Sequence, residues 1–243
     1  DRHLVPRHAD RSVEVACEFA ERTGLTSARP PRRYLWTDAF AVCNFVALSR
    51  VTGEGKYTEL ALRLVEQVHS LLGRHRADDA RTGWISGLGP QEGEAHPTRG
   101  GLRIGKPLPE REPAQPMDER LEWERDGQYF HYLTKWMHAL DQLARATGQA
   151  LFNVWARELA EAAHRAFVYV PPGGGGRRMC WKASIDLSHP QVTSMGQHDP
   201  LDGFVTCTQL EAPAARMRPS AAGPSLTAAV ADFAGMLDSR QFA

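Results

Sequence analysis

"VCNFVALSRVTGEGKYTELALRLVEQVHSLL", Val42 to Leu72, and "MHALDQLARATGQALFNVWARELAEAAHRAF", Met137 to Phe167, are one pattern written twice. A shift of 95 positions lays Thr52-Gly53 on Thr147-Gly148 and pairs Arg50 with Arg145, Tyr57 with Phe152, Ala61 with Ala156 and His69 with His164, without a gap. Before each Thr-Gly, apolar residues recur at spacings of three and four: Phe40, Cys43, Val46, Ala47 and Val51, then Leu133, Trp136, Leu140 and Leu143. That spacing marks a helix with one packed face. Glycine then ends the helix, because it enters the left-handed conformation of a C-terminal cap without a Cβ clash. Each copy therefore reads as helix, Thr-Gly turn, helix.

Working outward, a third copy starts at "DPLDGFVTCTQLEA", where Asp202-x-Phe204-x-x-Cys207 resembles Asp38-x-Phe40-x-x-Cys43, and "SLTAAVADFAGMLDSR" supplies its partner helix. The stretch "ADRSVEVACEFAERTG" reads as a leading helix. The fold class expected is all-α: one domain over 1–243, with hairpins at about 35–75, 126–170 and 200–240 and long loops at about 75–125 and 171–199. Helical hairpins repeated at long intervals make a solenoid or toroid; an irregular helical bundle is the alternative. The asymmetry of the linkers matters most. Loops of tens of residues inside a compact domain are functional or disordered, and side-by-side stacking puts all of them on one face, where each first helix begins. Asp38, Asp126 and the pair Asp199 and Asp202 are expected to share that rim. "RMCWKASIDLS" reads as a short strand within the second loop.

The "TGEGKYTELALRLVEQV" and "TGQALFNVWARELAEAA" hairpins resemble those of the six-hairpin (α/α) toroids, the unsaturated-glucuronyl and related glycoside hydrolases and the N-acylglucosamine 2-epimerase group. The resemblance covers roughly 35–75 and 120–170, and it implies a cavity at the long-loop end lined by carboxylates, histidine and sugar-stacking rings. It carries no catalytic signature that maps residue by residue. A complete toroid has six hairpins, and two clear ones with a third are found here. The chain also lacks an initiator Met, so the reading favoured is that the remaining hairpins belong to a longer product.

Composition narrows the partner. Lys+Arg and Asp+Glu are both 29, so no global field draws the chain to nucleic acid or a membrane. Cys17, Cys43, Cys180 and Cys207 show no CxxC pairing and read as reduced thiols of a cytoplasmic protein. No apolar run approaches the ~20 residues of a membrane span. No cofactor or metal is expected: Cys180, His198 and Cys207 could gather, but without zinc-like spacing. The expected ligand is a saccharide or sugar acid.

Cleavage or isomerisation of a sugar needs a proton donor and a base across the reacting carbon. In "EWERDGQYFHY" Asp126 is the first candidate, with Tyr129 and His131 following at a helix start; its competing role is an N-cap. Asp38 has the same two readings, beside Trp36. In "SMGQHDPLDG", Asp199 before Pro200 reads as an N-cap, leaving His198 and Asp202 for the cavity. His138 reads as core, and the duplicated His69 and His164 as packing residues. Trp84, Trp123 and Trp181, in or beside the loops, join Trp36 and Tyr129 as stacking walls. Arg103 and Lys106 in "GGLRIGKPLPE" offer cations for a substrate carboxylate or phosphate. Two functions stand open: a carbohydrate-active enzyme of glycoside hydrolase or sugar epimerase type, and a non-catalytic helical scaffold in which the aspartates are caps.

Overall fold

The computed structural model describes residues 4–196, 198–214 and 223–237. Helix α1 (Leu4–Arg22) leads into α2 (Leu35–Thr52) and α3 (Gly55–Leu72); two short helices follow, α4 (Pro90–Ala95) and α5 (Glu119–Glu124). Strand β1 (Gln128–Tyr129) runs directly into α6 (Phe130–Thr147), which turns into α7 (Ala150–Phe167). Four short strands, β2 (Val168–Tyr169), β3 (Arg178–Met179), β4 (Lys182–Ala183) and β5 (Pro190–Val192), precede α8 (Asp199–Ala214) and α9 (Thr227–Met236). The fold is mainly helical, and no helix among the described residues is long and apolar enough to cross a membrane.

The two Thr-Gly turns repeat down to their hydrogen bonds. Gly53 and Gly148 both take left-handed conformations, with φ of 73° and 69°, and their N–H groups reach Ser49 O and Ala144 O. Thr52 Oγ1 donates to Leu48 O, while Thr147 Oγ1 donates to Leu143 O. Each threonine then accepts the N–H two residues on, from Glu54 and Gln149. Short-range chemistry alone specifies both hairpins.

The hairpins α2–α3, α6–α7 and α8–α9 stand side by side, α2 against α6 and α6 against α8. One core runs through them, with Phe45, Tyr57, Leu64, Trp136, Leu140, Leu159 and Phe167 almost wholly buried. His69 and His164, the duplicated pair, both reach into the next hairpin: His69 Nε2 accepts from Trp136 Nε1 at 3.1 Å, and His164 Nε2 lies 2.7 Å from Asp232 on α9. Burial holds the His69 imidazole neutral, its pKa lowered to about 3. The packing role expected of both follows from these contacts. His138, expected in the core, is instead exposed.

The long loops are ordered by ion pairs as well as by apolar residues such as Leu102, Ile104 and Ile185, which are fully buried. Arg81 links Asp79, Glu110 of the first loop and Asp186 of the second, at 2.7, 2.6 and 3.0 Å. β4 lies between β1 and β5 in a three-stranded antiparallel sheet, and β2 pairs with β3. The strand expected in "RMCWKASIDLS" is therefore two short ones. The sheet also moves a boundary. α6 begins at Phe130 rather than Asp126, because Gly127, at φ 148°, turns the chain so that Gln128 and Tyr129 pair with β4.

Candidate functional site

The N-terminal ends of α2, α6 and α8 meet at the long-loop end. Tyr34 Oη and Tyr132 Oη are 2.7 Å apart, and the Trp36 ring lies 5.0 Å from Tyr132 and 5.8 Å from His131, which joins α2 to α6. Lys135 Nζ donates to both Asp202 oxygens at 2.9 and 3.0 Å, and Thr134 Oγ1 donates to Asp202 at 2.5 Å, which joins α6 to α8. Rings form a continuous wall across this end. Tyr129 stacks on His131 at 5.6 Å and touches Trp181 at 5.2 Å and Trp123 at 6.1 Å. Trp123, 56% exposed, presents the wall to solvent. Lys106 Nζ sits 5.6 Å from the Tyr34 ring and 5.7 Å from the Trp123 ring. It forms no ion pair with a described carboxylate, so its charge is held over the rings by cation–π attraction.

A cavity of about 510 Å³ opens between α6 and α8, lined by His131, Lys135, His198, Asp199, Leu201, Asp202 and Val205. The pKa values of its titratable groups have been drawn toward each other. The Asp199 carboxyl is raised to about 6 by burial and by the nearby Asp202 charge, and its Oδ2 has no hydrogen-bond partner. Burial lowers the His131 pKa, partly offset by Asp202. At neutral pH the cavity thus offers a carboxyl close to its protonation range and an uncharged imidazole. A carboxyl and an imidazole that both titrate near the working pH can serve one site as acid and base.

Two of the expected catalytic aspartates are elsewhere engaged. Asp126 is fully buried; its Oδ2 accepts from Arg103 Nη1 at 2.6 Å and Arg76 Nη1 at 3.2 Å, and its Oδ1 from the N–H groups of Gly105, Lys106 and Gly127. It staples loop to loop and is closed off from solvent. Asp38, 1% exposed, turns back on its own helix: its Oδ2 accepts the Tyr34 N–H at 2.9 Å, and Arg33 Nη1 stands 3.7 Å from Oδ1. The common rim exists as a place, but only Asp199 and Asp202 line its cavity.

Among the expected binding residues, Trp36, Tyr129, Trp123, Trp181 and Lys106 gather at the wall. Arg103 does not: its guanidinium is taken by Asp126, Arg74 O and Leu71 O. Trp84 is buried against Gly93 in a different cavity. His198 is exposed at the mouth of the α6–α8 cavity. Sequence reasoning missed Tyr34, Tyr132 and Lys135. The first two sit at positions where a helix-start aromatic reads equally well as core. Lys135, one turn after His131, was legible as a same-face partner. No group of His, Cys, Asp and Glu among the described residues could hold a metal ion.

Compared with protein-family models, curated proteins and solved structures, the chain matches none.

Asp38 yields a stability prediction. Burial raises its carboxyl to about 7, with Arg33 and the Tyr34 N–H offsetting only part. A raised carboxyl favours the folded state at low pH, and that advantage is lost as pH climbs from about 4 through 7. A shift of about three units corresponds to roughly 4 kcal/mol. Asp38→Asn should therefore gain on the wild type by up to that amount between pH 4 and pH 8 in urea unfolding. A wild-type-minus-variant difference that is flat across this range would show that Asp38 is ionised throughout.

Proposed function

We propose that the long-loop end binds a saccharide or sugar acid and carries out acid–base chemistry on it, of glycoside hydrolase or sugar epimerase type, with the three hairpins forming part of an (α/α) toroid. One observation carries the reading: His131 belongs both to the aromatic wall and to the α6–α8 cavity. A ring stacked on the wall through its apolar face would have its hydroxyl edge at the titratable groups. In this scheme Asp199 donates the proton, His131 accepts one, and Asp202, held by Lys135 and Thr134, supplies fixed negative charge that stabilises developing positive charge. Lys106 pairs with the carboxylate of a sugar acid.

The engagement of Asp38 and Asp126 in the fold favours one competing reading, a binding surface without chemistry. Saturation-transfer NMR with glucuronate and glucose, and turnover of a panel of nitrophenyl glycosides, separate the two. Deuterium uptake from D2O into free sugars completes the set by reporting epimerisation. The expected results are binding of glucuronate that Lys106→Met weakens more than it weakens glucose, and turnover that Asp199→Asn lowers by roughly 100-fold or more at unchanged melting temperature. Binding without turnover selects the scaffold. The absence of both binding and turnover sinks the saccharide reading.

A further inference from the structure

A second cavity, of about 380 Å³, lies between the outer helices α3 and α7 under the loop that carries α4. Its apolar side is built from Val65, Phe152 and Trp155, the last anchored by its Nε1–H to Ala95 O at 2.8 Å. Its polar side is unusual. Arg74 lies with its guanidinium 4.4 Å from the Trp84 ring, and neither the Arg74 Nε nor the Trp84 Nε1, both buried, has an acceptor. Trp84 is itself 5% exposed. Glu66 on α3 and Glu94 on α4 line the same cavity. Among the described residues, neither glutamate nor Arg74 forms an ion pair, although most arginines of the loops do.

A guanidinium that lines the cavity, stacks on a ring and has no ion pair is preorganised to grip a planar carboxylate. The glutamates at the same cavity make a dianion a poor occupant and leave an acceptor set for a cation. An aromatic floor of this size suits one ring. We propose that this cavity binds an aromatic amino acid as its zwitterion: the carboxylate on Arg74, the ammonium on Glu66 and Glu94, and the ring against Phe152 and Trp155. The site lies outside the aromatic wall and the α6–α8 cavity, and its occupancy is independent of the reading given for them.

L-Phenylalanine is the probe, since it adds no indole fluorescence of its own. Titration into the full chain should quench or shift the emission of Trp84 and Trp155 saturably. Phenylacetate and phenethylamine, each keeping one charge, should bind at least about 10-fold more weakly. Arg74→Met should lose a similar factor for L-phenylalanine with its circular dichroism and melting temperature close to wild type, and Glu66→Gln with Glu94→Gln should weaken phenethylamine while sparing phenylacetate. The absence of a saturable response in folded wild type at millimolar L-phenylalanine overturns the proposal. So does equal affinity in Arg74→Met, or equal binding of all three compounds.

Discussion

Asp126→Asn should unfold this protein at a markedly lower temperature, and Asp126→Ala should do little worse. An aspartate that merely caps a helix tolerates asparagine almost fully, since the side-chain oxygen that accepts the backbone N–H survives. Asp126 is differently placed. Its Oδ1 takes three backbone N–H groups, while its Oδ2 takes two guanidinium donors. Asparagine can satisfy the first set only by aiming its own NH2 at Arg103 and Arg76, donor against donor, at a fully buried position. Removing one partner from a buried ion pair costs about 3–5 kcal/mol, because the other charge stays buried without compensation. In a chain of this length that is a fall of roughly 6–20 °C. Differential scanning fluorimetry of both variants decides it. A loss below ~1 kcal/mol for Asp126→Asn would mean that the two arginines find other acceptors and that the loops do not depend on this carboxylate.

The contrast between Asp126 and Gly148 shows where the sequence could be read. The Thr-Gly turns use only neighbours in the chain: the glycine conformation, the threonine hydroxyl and a carbonyl four residues back. Such interactions leave a local signature, so the two Thr-Gly turns and the helices they join were legible. Apart from the adjacent Gly127, the partners of Asp126 lie 20 to 50 positions away, and nothing in "ERDGQY" distinguishes a carboxylate that will meet Arg76 and Arg103 from one that will cap a helix. Its burial was invisible for that reason. The same holds for Arg103, which as a loop cation looked free and is spent on Asp126.

The site was legible to an intermediate degree. Stacking residues announce themselves because a tryptophan in a long polar loop needs a partner, and Trp123 and Trp181 do converge, with Trp36 of α2 joining the same wall through Tyr132. Trp84 obeyed the same rule but found its partner in Arg74 and Gly93, in the other cavity. Asp199 was assigned to capping from its following proline. Proline at the second helical position describes the backbone, however, and says nothing of where the carboxylate points. Its neighbourhood with Asp202, three residues on and therefore on the same helix face, was the signal that could have placed both at one cavity.

The wall itself rests on a buried lysine. Lys182 is fully buried on β4, and its ammonium has all three protons matched: Glu122 Oε1 at 2.7 Å, Glu122 O at 2.8 Å and Arg125 O at 3.1 Å. Because β4 pairs with β1, this contact fixes Gln128 and Tyr129, hence the first turn of α6 and the stacking of Tyr129 on His131. Glu122→Ala should cost about 3–5 kcal/mol by stranding the ammonium. Lys182→Met should cost less, since methionine fills similar space and Glu122 keeps Arg111 at 3.1 Å. Combining Glu122→Met with Lys182→Met should recover much of the loss, because no charge is then buried alone. The sign of a pH effect separates this account from simple loss of packing. Burial already lowers the Lys182 pKa, and without Glu122 it falls further, so the folded variant prefers neutral lysine. A base whose folded pKa is depressed gains stability as pH rises toward its unfolded value, and the Glu122→Ala deficit should shrink between pH 7 and pH 10. A deficit constant over that range, together with a double variant no better than Glu122→Ala, would leave the pair as filler and the position of the aromatic wall to be explained by the sheet alone.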